Sequence, residues 1–159
     1  LFRPISKKLM IKVDVFVQDR NWKKYISNPS KYIKHKTKYL NSSLKIIKNK
    51  KINFSILLSG NREIKILNKK FRKKDKVTDV LSFPFYNLTD IKKLKKGTIY
   101  LGDVILNFYK IDKKNFKRDF NRLWVHGFVH LLGYRHHKDK DYFKMNRIEK
   151  LILNKIEGN

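Results

Sequence analysis

The chain has 159 residues, 41% hydrophobic and 13% aromatic, with three prolines and six glycines, a composition that closes a packed core and excludes a disordered chain. Forty lysines and arginines against 13 acidic residues give a net charge of +27, so a polyanion is the partner to expect. No apolar run approaches the roughly 18 residues of a membrane span, and the absence of cysteine excludes disulfides and thiolate metal ligands.

The length is that of one domain, and we read residues 1–159 as a single unit. The opening stretch LFRPISKKLMIKVDVFVQD has no continuous hydrophobic segment of signal-peptide type, so a cytoplasmic location is expected; Leu1 as first residue suggests a trimmed chain or an unusual start codon. Lysine far outnumbers arginine, and Ile and Asn are abundant. A drift in whole-genome composition also produces that pattern at solvated positions, so charge alone does not establish nucleic-acid binding.

MIKVDVFVQD at 10–19 alternates apolar and polar residues with the period of a half-buried strand. From Asn28 to Asn49, Tyr32, Ile33, Tyr39, Leu40, Leu44, Ile46 and Ile47 recur at helical spacing behind Ser30 as a cap, which predicts one long helix. KINFSILLS at 51–59 reads as a strand. After Gly60, NREIKILNKKFR reads as a helix with Ile64, Ile66, Leu67 and Phe71 on one stripe. TDVLSFPFY reads as a strand closed by Pro84, residues 86–98 as a loop, and IYLGDVILN as a strand holding a glycine. Helical spacing returns from Asp112 to Leu132, and again from Asp139 to Ile156 with Phe143, Met145, Ile148, Leu151 and Ile152 inward. No internal repeat appears. Interleaved strands and helices predict an α+β or α/β domain, a small sheet covered by helices.

Four of the five histidines fall in VHGFVHLLGYRHH at 125–137. His126 and His130, four apart, share one face of the predicted helix and present two imidazoles to one point. Gly133 falls where the helix should end, and a glycine in the left-handed conformation reverses the chain and returns His136 to that point. Three neutral ligands leave one position on a cation for water, the open arrangement of a catalytic zinc, and a water so held ionises near neutral pH; the chemistry implied is hydrolysis. His137 competes for the place of His136, one residue further on, and His35, alone on a basic helix, reads as a surface residue. Two histidines one turn apart are also common as a hydrogen-bonded pair in a core, and the glycine with the third histidine is what favours metal. Histidines at relative positions zero, four and ten with glycine at seven also occur in metzincin peptidases, which carry a glutamate base beside the first histidine. Here that place is Gly127, so a peptidase lacks its proton acceptor.

HGFVHLLGYRHH resembles the H-G-x-x-H-x-x-G-Y-D-H signature of the YbeY family, metal-dependent endoribonucleases of bacterial ribosomal RNA maturation. LNKKFRKKDKVTDVLSFPF resembles a second family block, with Arg72, Asp75 and Thr78 to Pro84. LGDVILN, with Gly102 and Asp103, resembles a third, and Met145 and Glu149 fit the helix after the histidines. Together these blocks span roughly residues 55–155 in order.

The resemblance implies α+β architecture: a small mixed β-sheet of about four strands packed with helices, with the metal at the end of the long histidine helix. It implies His126, His130 and His136 as ligands of one zinc ion and Arg72 as the basic catalytic residue facing the cleft. It further implies single-stranded RNA, ribosomal RNA and the small ribosomal subunit as substrate and context. A guanidinium at position 72 grips phosphate in a bidentate fork and offsets charge building on phosphorus, although FRKKDK by itself would read as ordinary surface. Asp79 and Asp103 are candidates to orient the imidazoles, or else to cap turns. The family usually has Asp where this chain has Arg135. That exchange removes a carboxylate and adds a cation beside the third ligand, with Asp139 or Asp141 as possible substitutes, or it turns a cation outward to RNA. A non-catalytic ribosome-assembly factor that keeps a metal for stability is the alternative reading, ahead of the peptidase.

Overall fold

The computed structural model describes residues 11–40, 44–48, 50–94 and 97–158. Four strands, β1 (Ile11–Val17), β2 (Lys51–Ser59), β3 (Val80–Pro84) and β4 (Thr98–Asn107), form one sheet in the order β1-β2-β4-β3. β1, β2 and β4 run parallel, and β3 pairs antiparallel with β4 at the edge. The mixed α+β sheet of four strands expected from the sequence is what the chain forms.

Parallel neighbours need crossovers, and two helices supply them on opposite faces. α1 (Pro29–Thr37) packs on β1, and α4 (Phe116–Leu131) lies across β3 and β4 on the same side, with α5 (Asp139–Glu157) behind it. α2 (Asn61–Arg72) lies on the other face against β3 and β4. Strand periodicity explains the division. Ile52, Phe54, Ile56 and Leu58 of β2 point into the large core with Val104 and Leu106 of β4, whereas Ile105 of β4 and Leu81 of β3 point to a smaller cluster under Ile64 of α2.

The expected helix over 28–49 is shorter. Asn28 rather than Ser30 caps it, accepting the Lys31 N–H at 3.0 Å, with Pro29 in the first turn where its missing donor costs nothing. It ends at Thr37. Leu44 is extended (φ −123°, ψ 110°) and opens a separate 3-10 turn, Lys45–Ile47; residues 41–43 and 49 of the expected helix lie outside the described set. Leu40, Leu44 and Ile47 still reach the core, so the helical spacing of these apolar residues reflects burial by two turns instead of one continuous helix.

The segment 86–98, expected as loop, contains a short helix, α3 (Leu88–Lys93), capped by Asn87, whose side chain accepts the Asp90 N–H at 2.8 Å. α4 starts at Phe116 instead of Asp112, which caps the preceding turn by accepting the Lys114 N–H. Two stripes differ from expectation: Ile66 and Phe71 on α2 and Phe143 and Leu151 on α5 are exposed, because each helix covers the rest of the protein along a narrower face than its apolar residues span. On α5 the buried line is Met145, Ile152 and Ile156. No helix among the described residues is long and apolar enough to cross a membrane.

Candidate metal centre

α4 is apolar along most of its length because it is buried against both the sheet and α5, and its last two turns carry His126 and His130 at the margin of that core. Helical geometry brings the two rings to 4.7 Å between centroids. The helix then stops: Gly133 takes φ +96°, its N–H bonds the His130 carbonyl at 2.9 Å, and the chain turns back. A Cβ at this position would lie 2.3 Å from the Leu88 nitrogen of α3, so glycine is demanded by both conformation and space. The reversal places the His136 ring 5.1 Å from His130 and 5.9 Å from His126.

One potential ligand atom from each of His126, His130 and His136 lies within 4.8 Å of the other two, a grouping that one cation fits. His137 is outside that group, and His35 is exposed on α1. Hydrogen bonds set two of the three rings. His130 Nδ1 is 2.9 Å from the Tyr134 carbonyl oxygen, so Nδ1 carries the proton and Nε2 keeps the lone pair. His126 Nδ1 donates to Glu149 Oε1 at 2.7 Å, leaving its Nε2 for a cation as well. Burial, reinforced by the neighbouring His126, pushes the His130 pKa down from 6.5 to about 4. That ring is neutral at cellular pH, which is the form a metal requires.

The orienting carboxylate is therefore Glu149, and the sequence-based candidates Asp79 and Asp103 do not serve. Asp103 lies on the opposite face of the sheet, where it accepts the Tyr100 hydroxyl and lines a groove with Phe16 and Phe71. Asp79 accepts the Thr78 hydroxyl at 3.3 Å beside β3. Among the described residues neither Asp139 nor Asp141 bonds a histidine of the cluster. The sequence did carry a sign of Glu149: it continues the line of Met145, Ile152 and Ile156, and a carboxylate on a buried helical stripe needs a partner across the interface.

Gly127 sits beside His126 where a metzincin has its glutamate. Its carbonyl accepts the Ser82 hydroxyl at 3.2 Å, and a Cβ there would stand 2.5 Å from Val104 Cγ1. Position 127 faces the sheet, so a side chain at this place would meet Val104 and Ser82 before anything else.

The cluster opens into a cleft of about 350 Å³ lined by Arg72, Ser82, Pro84, His130, Arg135, His136 and His137. Arg72, the last residue of α2, reaches it around the β3 edge: Nη2 donates to the Ser82 carbonyl at 3.0 Å and the guanidinium lies 5.9 Å from the Phe83 ring centre. Histidines form one wall and arginines stand at the rim, with no carboxylate in the lining among the described residues.

A mixed sheet with a three-histidine cluster at the end of a buried helix, opening on a cationic cleft, defines a metal-site protein suited to anionic substrates. The family described as Endoribonuclease YbeY matches residues 16–157. The chain is similar to an Endoribonuclease YbeY of Pelagibacter ubique, 42% identical over 154 residues that cover 93% of this chain and 97% of the relative. It is also similar to one of a Wolbachia strain, 32% identical over 149 residues covering 89% and 93%. The chain belongs to the YbeY family, whose name denotes hydrolases acting on RNA. A solution structure from Thermotoga maritima shares the fold, with TM-score 0.59 and 21% identity over 92% of this chain and 89% of that one.

Proposed function

We propose that the chain is a cytoplasmic, zinc-dependent endoribonuclease, one YbeY-like domain over residues 1–159, that cuts single-stranded RNA. Its place is the maturation of the 3′ end of small-subunit ribosomal RNA and the quality control of ribosomes. The observation that carries this reading is the convergence of three imidazoles beside a cleft whose other charged groups, among the described residues, are cationic.

His126, His130 and His136 hold the ion, the first two through Nε2 because their Nδ1 atoms are engaged. When bound, the cation supplies Lewis acidity and lowers the pKa of water. Arg72 spends one donor on the Ser82 carbonyl, which fixes the guanidinium plane while its remaining N–H groups grip a phosphate oxygen and offset charge developing on phosphorus. The +27 charge draws the RNA backbone in, and an unpaired strand is flexible enough to thread a cleft of this size.

The test compares metal-loaded wild type, His130→Ala and Arg72→Ala on one RNA sequence offered as single strand and as duplex, with metal content measured in parallel. The reading requires cleavage of the single strand, loss of metal and activity together in His130→Ala, and retained metal with depressed activity in Arg72→Ala. Cleavage that persists after His130→Ala has lost its metal would eliminate it. A 2′,3′-cyclic phosphate at the new end would identify the ribose hydroxyl as nucleophile; a 5′-phosphate would identify water. The second reading, a non-catalytic assembly factor, is favoured by a cleft lining that holds no carboxylate proton acceptor among the described residues, and tight metal binding without cleavage would select it.

A further inference from the structure

Arg135 lies between the Gly133 turn and His136, is exposed, and shares the cleft lining with Arg72. Arg72 is anchored to the Ser82 carbonyl, whereas Arg135 has no hydrogen bond or ion pair to any described residue. Its charge is permanent, it adjoins a metal-site histidine, and among the described residues no carboxylate lines the cleft to offset it. Two guanidinium groups beside a site for a divalent cation repel that cation and each other, and ligand-free the arrangement is electrostatically unfavourable. An anion entering the cleft adds an attraction to each of these cations, which offsets their mutual repulsion.

We infer that Arg135 is a substrate-binding residue that holds a backbone phosphate of single-stranded RNA in the metal cleft that Arg72 also lines, and that its charge weakens metal binding in the absence of RNA. The inference rests on the endoribonuclease reading and adds to it a second phosphate contact, made by a residue that belongs to neither the ligand set nor the fold's internal bonding. Two guanidinium groups in one lining give a strand with successive phosphates more contacts than an isolated terminal phosphate. An arginine with no partner among the described residues leaves no orphaned group behind in them when it is removed, so its substitution is a clean test.

Arg135→Ala, Arg135→Lys and Arg135→Asp would be compared with wild type in two measurements, with thermal melting as the control for folding. Metal affinity is read by chelator competition without RNA. Affinity for a labelled single-stranded oligoribonucleotide is read by anisotropy across a salt series, which works whether or not the strand is cut. Expected for Arg135→Ala is about a tenfold weaker RNA complex and a salt slope smaller by about 0.7, with higher metal affinity; an unchanged metal affinity would overturn the claim that the charge weakens metal binding. Arg135→Lys should restore the slope but only part of the affinity, since lysine is a point charge without the fork. Arg135→Asp should bind metal more tightly than wild type and RNA more weakly than the alanine variant. An unchanged salt slope in Arg135→Ala, or metal and RNA affinity falling together, overturns the inference while leaving the endoribonuclease reading intact. Wild-type protein that fails to bind the oligonucleotide overturns both.

Discussion

Glu149 Oε1 stands 2.7 Å from His126 Nδ1, joining α5 to the end of α4 at the point where the cluster begins. A carboxylate in this place holds the ring's tautomer and raises the basicity of Nε2. The bond also fastens two helices that otherwise meet through apolar side chains. Glu149→Ala should therefore weaken metal binding about 10- to 100-fold while leaving far-ultraviolet circular dichroism unchanged. Glu149→Gln, which keeps an acceptor but loses the charge, should fall between the alanine variant and wild type. Equal metal affinity in all three would show that the bond has no bearing on the cation.

Gly127 tests which of two opposed effects decides helix stability. Alanine in a helix interior is favoured over glycine by about 0.5–1 kcal/mol. Against that, the new Cβ would meet Val104 Cγ1 at 2.5 Å and Cγ2 at 3.1 Å, and Val104 is fully buried in the core. Overpacking of this kind costs about 1–3 kcal/mol, so Gly127→Ala should lower the urea midpoint. Val104→Ala on that background should recover stability instead of costing more, a non-additive pair measurable by a double-mutant cycle. A stabilised single variant would mean the helix does not press on the sheet here.

The histidine signature is legible in the sequence because every step of it is local. A spacing of four on a helix, a glycine at its end and a short return leave little freedom for the rings. Strand alternation likewise places β1, β2 and β4 to within a residue or two. The hidden features are those set across the fold. Leu44 and Ile47 keep helical spacing with Tyr32 and Ile33, yet a break after Thr37 buries them from a different turn, and spacing alone does not distinguish the two. Asp103 is attractive for its neighbours in the chain, but strand pleating turns it to the far face. Glu149 fits a helical pattern in the sequence, and its role emerges only with α5 packed against α4. Gly127 reads as a missing base, whereas in three dimensions it marks a close approach of helix to sheet.

Desolvation of His130 carries a pH signature in the metal-free protein. The folded state holds this ring's pKa at about 4 against 6.5 in the unfolded chain, so between those values the unfolded chain binds more protons. Stability rises with pH across that interval: the contribution is fully present above about 6.5 and is lost as pH falls through about 4. The C2 proton of His130, assigned by its absence in His130→Ala, should titrate near 4 by NMR. Urea midpoints of wild type should drop from pH 6.5 to 4 more steeply than those of His130→Ala, which has no such group. A midpoint near 6.5 for this ring would show that it is solvated, and the neutral tautomer fixed by the Tyr134 carbonyl would lose its support.

Gly133 couples the metal centre to α3. Replacement by alanine meets two obstacles at once: φ +96° is a conformation that side chains rarely adopt, costing about 1–3 kcal/mol, and the Cβ would lie 2.3 Å from backbone nitrogen and 2.6 Å from Cα of Leu88. Backbone does not swing aside like a flexible side chain, so relief must come from the turn itself, which is the segment that returns His136. His126 and His130 stay on α4 and His126 keeps its partner Glu149, whereas the Tyr134 carbonyl that bonds His130 and the third imidazole both follow Gly133 and depend on the turn. Gly133→Ala should accordingly lower metal affinity by a larger factor than Glu149→Ala does, at a modest loss in unfolding midpoint. His136→Ala should then add little further loss on the Gly133→Ala background, because the ring it removes has already left the cluster. Additive losses in that pair would show that His136 still reaches the ion without the glycine turn.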